Sequence, residues 1–220
     1  MNTISRELPR QTEKIDILPT KYRENYYGGP LAVSGQIIGA PFWQKMIAET
    51  QADNKERGIV ISRKSNKDII TSSVFIGEEK SFTPLVLPHG LKSLFSPIKD
   101  IALVHTHAMP LSSDHLLTTT FSDGDIRTFI PSKYYALIAI DRGGAHLLVR
   151  KHKPYMENIP EANMISKIIA ETIEENGSTM DVIKKISSHI KQFDLAYLFT
   201  PQLTPDLDGN ITFQDPTNKL

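Results

Sequence analysis

The chain reads as an α/β domain, a sheet of about five strands flanked by helices. Three observations predict it. Runs of strand length, rich in β-branched and apolar residues, recur through the middle of the chain: "RGIVIS", "DIITSSVFIG", "DIALVHTH", "YYALIAID" and "AHLLVRK". Apolar residues at helical spacing precede them in "PFWQKMIAETQADN" and follow them in "EANMISKIIAETIEEN" and "STMDVIKKISSHIKQF". Turn-forming residues punctuate the connections.

Composition narrows the class of function. At 220 residues the chain accommodates one domain with a full core and terminal additions. Lys plus Arg and Asp plus Glu both total 25, so no net field attracts a polyanion, and nucleic acid is not an expected partner. The basic stretch "RKHK" (150–153) fits a solvated strand end. Without cysteine there is no disulfide, no thiolate nucleophile and no thiolate metal site, so any metal must sit on nitrogen and oxygen ligands. The first residues lack the apolar core of a signal peptide, and no window reaches the roughly 18 apolar residues of a membrane span. A cytoplasmic protein with no membrane partner is expected.

The elements follow in order. Residues 1–35 are polar and then punctuated by Gly and Pro, which suggests an extended arm packed on the body. Pro41 suits a first helical position, and Phe42, Met46, Ile47 and Thr50 follow at helical spacing. "RGIVIS" and "DIITSSVFIG" flank the polar "RKSNK" and form a hairpin. Residues 77–99 carry three prolines and two glycines, the composition of a long loop bordering a site. "DIALVHTH" is a strand of buried type, and "YYALIAID" with "AHLLVRK" makes a second hairpin about a Gly-Gly turn. Between them, "FSDGDIRTFI" opens with a serine and acidic residues suited to a helical first turn.

Toward the C-terminus, Met164, Ile165, Ile168, Ile169 and Ile173 share one helical face, and Val182, Ile183, Ile186 and Ile190 share another. The two helices meet at Asn176-Gly177, whose glycine suits a helix C-cap. The rest is turn-rich, and "DLDGN" is a plain turn, since it lacks the closing glutamate and flanking helices of a calcium loop. These boundaries give an arm over 1–35, a main domain over 36–155, a helical pair over 156–195 and an irregular tail over 196–220. No internal repeat is present.

The chemistry concentrates in "ALVHTHAMPLSSDHLLTTTFSDGDI", residues 102–126. His105 and His107 lie one residue apart on a strand, where i and i+2 point to the same face and can grip one ion together. A catalytic zinc usually takes three protein ligands and a water. Asp125 is the candidate third ligand, because a helix beginning at Ser122-Asp123-Gly124-Asp125 aims a first-turn carboxylate back at the strand end. The same Ser-x-x-acid spacing is also a capping arrangement. Hydrolysis needs a base as well, and Glu56, at the entrance of "GIVIS", is the acidic residue placed for it.

Taken together, a glutamate before a strand, a strand ending His-x-His, and Ser-x-x-Asp opening a helix resemble the JAMM metalloprotease domain, also called the MPN domain. The resemblance covers residues 40–150: Glu56 in "KERGIVIS", His105 and His107 in "LVHTHA", Ser122 and Asp125 in "FSDGDI". It implies a curved mixed β-sheet flanked by helices, in an MPN-like and cytidine-deaminase-like architecture with two extra C-terminal helices. It further implies that His105, His107 and Asp125 bind Zn2+, that Glu56 is general base and acid, and that Ser122 steadies the oxyanion or the water. The activity it implies is hydrolysis of peptide or isopeptide bonds without a covalent enzyme intermediate. Its substrates would be proteins or peptides, ubiquitin-like conjugates among them.

Two departures stand out. The family usually has proline directly after the second histidine, where this chain reads His107-Ala108-Met109-Pro110, and 14 residues separate His107 from Ser122, about twice the family's usual number. Asp114 and His115 in that longer segment are rival ligands. Amidohydrolase barrels need more strand-helix units than follow here, and cupins need a glutamate that residues 108–113 lack. His89, His146, His152 and His189 have no ligand-like partners at a readable spacing and are expected on the surface or in the core. The alternatives to an enzyme are a metal-free scaffold of the same fold and a RadC-like, DNA-repair-associated protein.

Overall fold

The computed structural model describes residues 31–34, 40–63, 69–72, 74–79, 99–107, 120–132, 134–151, 159–175, 179–201, 203–207 and 209–217. The elements among them are β1 (Leu31–Ser34), α1 (Ala40–Asp53), β2 (Lys55–Arg63), β3 (Ile69–Thr71), β4 (Phe75–Glu79), β5 (Lys99–Thr106), α2 (Asp123–Phe129), β6 (Ala136–Asp141), β7 (Gly144–Arg150), α3 (Ile159–Glu175), α4 (Thr179–Ile190), β8 (Leu195–Thr200) and β9 (Asn210–Phe213). No helix among the described residues is long and apolar enough to cross a membrane.

The main sheet runs β3-β2-β5-β6-β7-β8, with β4 also paired to β2. Among the described strand pairs only β5 and β6 are parallel, and α2 lies in the connection between them. The expected mixed α/β fold is therefore present. "DIITSSVFIG" is two short strands rather than one, and both pair antiparallel with β2, at its two ends. The β6–β7 hairpin closes tightly at the Asp141–Gly144 pair. Gly144 stands at φ 137°, and a Cβ there would lie 2.1 Å from the Thr200 carbonyl oxygen. Only glycine lets β8 come this close.

Each face of the sheet has its own core, as the alternation of side chains along strands requires. On one face, Trp43, Met46 and Ile47 of α1 pack on Ile59, Ile61, Val104, Ile138, Leu147 and Leu198. On the other, Phe121 and helices α2 to α4 cover Val60, Leu103, Leu137, Ala139, Leu148 and Tyr197.

Several expectations need correction. In α1 Trp43 is fully buried, as its type predicts for a core residue, but Phe42, read on the same helical stripe as Met46 and Ile47, is 44% exposed. In α3 the buried face is Ala162, Ile165, Ser166, Ile169 and Thr172, with Met164 turned outward. The α4 face of Val182, Ile183, Ile186 and Ile190 is buried as expected. Residues 196–220, expected to be irregular, contain most of β8, which is an edge strand of the main sheet, and β9, which pairs with β1 of the arm. "LAYLFT" follows α4 through Asp194 in the left-handed conformation (φ 56°), a reversal with no Gly or Pro to announce it. The loop assigned to 77–99 falls almost wholly outside the described residues, as do the Asn176-Gly177 junction, Asp114, His115, His89 and His152.

Candidate metal centre

The site lies where β5 ends, on the face covered by α2. His105 sits opposite Gly58 of β2 and Ala139 of β6, both small, which leaves its ring room above the sheet. His107 keeps the extended course one residue past the strand, because its backbone N–H donates to the Ile140 carbonyl at 3.0 Å. The two rings therefore rise side by side, centroids 4.8 Å apart. Their Nε2 atoms approach to 2.9 Å.

Asp125 completes the group from the first turn of α2. Its Oδ1 lies 3.0 Å from His105 Nε2, and its Oδ2 lies 3.1 Å from His107 Nε2. All three residues are buried, and their ligand atoms lie within 4.8 Å of one another, so the group can hold a metal ion. If both imidazoles carry their proton on Nε2, each N–H can donate to one Asp125 oxygen, but the two N–H groups then face each other at 2.9 Å. A shared cation takes the place of both protons. Burial opposes ionisation of Asp125, but the two imidazoles more than offset it and hold the carboxyl well below the ordinary carboxylate range.

The capping and ligand readings of Ser122-x-x-Asp125 turn out to be compatible. Ser122 is the N-cap of α2, and its hydroxyl accepts the Asp125 N–H at 3.2 Å. In return the Asp125 Oδ2 accepts the Ser122 N–H at 2.7 Å and the Ser122 O–H at 2.8 Å. The capping box thus aims the carboxylate, with its other oxygen toward His105. The hydrogen bonds of Ser122 to Asp125 fix the direction of that carboxylate.

Glu56 is the second residue of β2 and is half-buried. Burial pushes its carboxyl above the ordinary value, while the charges of His107 and His105 pull it back down and that of Asp125 pushes it up. The structure therefore brings Glu56 within electrostatic range of all three members of the group.

Sequence reading missed a second buried polar group on the same face. His146 of β7 stands across Ala139 from His105 in the sheet register. Its Nδ1 is 2.7 Å from the Tyr197 hydroxyl and its Nε2 is 3.7 Å from Asp141 Oδ2. Burial lowers the His146 pKa despite that carboxylate, and burial raises the Tyr197 phenol well above its ordinary value. Isolated polar residues in apolar runs were the signal, but only the register unites them. No protein-family model, curated protein or solved structure matches this chain.

Proposed function

We propose that the chain is a zinc-dependent hydrolase of peptide or isopeptide bonds, with His105, His107 and Asp125 as metal ligands and Glu56 as general base and acid. The convergence of two imidazole nitrogens and a carboxylate at 2.9–3.1 Å carries the reading. Tetrahedral ligands at zinc's usual 2.0–2.1 Å bond lengths stand about 3.3 Å apart, so the donors would open by only a few tenths of an ångström. Two nitrogens and one oxygen are three protein ligands, the number a catalytic zinc would use, whereas structural zinc takes four.

Zinc held there supplies a Lewis acid and a bound water whose pKa falls toward neutrality. Glu56, whose carboxyl burial pushes above its ordinary value, would accept a proton from the attacking water as a carboxylate and return it to the leaving amine. Ser122 keeps Asp125 in the ligating orientation through both turnover steps. Substrates are proteins or peptides, and ubiquitin-like conjugates are the class to screen.

The test is metal content by elemental mass spectrometry after dialysis, followed by cleavage of a fluorescent lysine joined by an isopeptide bond to the C-terminus of ubiquitin. About one zinc per chain in the wild type, much less in Asp125→Ala, and turnover abolished in Glu56→Gln are expected. A folded wild type that takes up no zinc when it is added back overturns the proposal.

A further inference from the structure

Glu56 is held less regularly than most residues of β2. On the β4 side the register slips between Lys55↔Glu79 and Arg57↔Ile76, so the single Glu56 faces two residues of β4, 77 and 78, at a bulge that interrupts the regular ladder. On the β5 side the ladder ends at Gly58↔His105, before Glu56 is reached. The chain also enters β2 through Asn54 at φ 57°, a sharp reversal out of α1. The β4 pairs on either side of Glu56 hold its backbone to β4, but no β5 backbone pair ties it to the strand that carries the histidines.

That tie comes from the opposite face of the sheet. Thr106 stands between the two histidines and, by strand alternation, points away from the metal group. Its Oγ1 accepts the Arg57 N–H at 3.0 Å, the N–H of the peptide that joins Glu56 to Arg57. It also lies 3.3 Å from the Arg57 carbonyl and 2.7 Å from Thr50 Oγ1 of α1. One assignment satisfies every contact: Thr106 donates to the Arg57 carbonyl, Thr50 donates to Thr106, and Arg57 Nη1 donates to Thr50 at 3.4 Å. Both threonines are fully buried.

The Arg57 guanidinium closes the arrangement. It makes a bidentate pair with Asp53 at 2.7 and 2.9 Å, meets Glu49 at 3.2 Å and donates to the Lys55 carbonyl at 2.8 Å. Its hydrogen bond to Asp53 holds that carboxyl well below the ordinary range. The last turns of α1, the start of β2 and the end of β5 are thereby joined at one point.

We infer that the Thr106 hydroxyl is a positioning device for Glu56: it extends the β2–β5 ladder by one side-chain bond and fixes the Glu56–Arg57 peptide relative to His105 and His107. The inference rests on the reading of Glu56 as the base. One residue so serves both faces, since the strand that presents two ligands on one side carries on the other the group that registers the base to them.

Thr106→Val keeps the shape and removes the hydroxyl, and Thr106→Ser restores it. In the metal-free protein the Arg57 amide should exchange with solvent deuterium about tenfold faster in Thr106→Val, as loss of one net hydrogen bond implies, and at the wild-type rate in Thr106→Ser. In the zinc-loaded protein Thr106→Val should still bind about one zinc per chain, and kcat on the ubiquitin isopeptide conjugate should fall on the order of 10²-fold with KM little changed. Thr106→Ser should recover it. Unchanged amide exchange in Thr106→Val overturns the clamp whether or not the protein binds zinc. Faster exchange with undiminished kcat overturns the positioning role and leaves the hydrolase reading standing. A wild type without zinc or turnover refutes the hydrolase reading and with it the positioning role. If Thr106→Val fails to fold, Thr50→Val, which removes the hydroxyl on the helix side, should show a smaller loss in both measurements, and no loss in either overturns the inference.

Discussion

Asp125 has two tasks, and two substitutions separate them. Asp125→Asn removes the charge but leaves an amide oxygen able to accept the Ser122 N–H and O–H, now held at 2.7 and 2.8 Å. Asp125→Ala removes both. If the roughly 10–16 kcal/mol of protein zinc binding is shared among four donors, one donor is worth about 3–4 kcal/mol, or two to three decades in Kd. Both variants should lose that much, read by competition with a chromogenic chelator. The cap is worth about 1–2 kcal/mol. For a chain of this size that is roughly 2–8 °C in Tm, so calorimetry on chelator-treated protein should show Asp125→Ala melting lower than Asp125→Asn by that margin. A Kd for Asp125→Asn within about threefold of wild type would refute the carboxylate as a ligand, since even loss of an outer-shell partner costs about tenfold. Asp114→Ala is expected to leave Kd unchanged.

Three other outcomes are expected. Glu56→Gln should keep about one zinc per chain and lose turnover; an undiminished rate would exclude Glu56 as the base. Arg150, buried and donating to the Phe129, Ile130 and Tyr134 carbonyls at 2.6–2.9 Å while stacked on Phe129, ties the end of α2 to the sheet, so Arg150→Met should cost about 3–5 kcal/mol in urea unfolding. A cost under about 1 kcal/mol would show those carbonyls finding other donors. His146, surrounded by Asp141, Tyr197 and the charge of His107, has its pKa lowered from 6.5 by burial, so below that pH the unfolded chain binds a proton that the folded chain refuses. Stability should therefore drop as pH falls through 6.5, by up to about 1.4 kcal/mol per pH unit, and the drop should shrink in His146→Gln. An unchanged slope in that variant would assign the acid sensitivity elsewhere.

Much of this protein is legible residue by residue. The period of two in "LVHTH" places His105 and His107 on one face and Thr106 on the other, and the period of 3.6 in "MDVIKKISSHI" picks out the buried stripe of α4. Ser122 and Asp125 announce a capped helix from their spacing alone. In each case the interaction spans a few residues, so local geometry decides it.

Other features depend on what packs where. An amphipathic pattern has a margin, and the neighbour settles which residue at the margin turns out: Phe42 in α1, beside the core residue Trp43, and Met164 in α3, where Ala162 turns in. "LAYLFT" becomes an edge strand because β7 offers it a ladder, from Ala145↔Thr200 to Arg150↔Leu195, which no property of the segment itself reveals. Glu56 comes within electrostatic range of the histidines across about fifty residues of chain because β2 pairs with β5 up to Gly58↔His105, and His146 meets Tyr197 through the pairing of β7 with β8. Periodicity tells which residues share a face. Strand order and register, set by burial of the whole sheet between its two helical layers, decide which of those residues become neighbours.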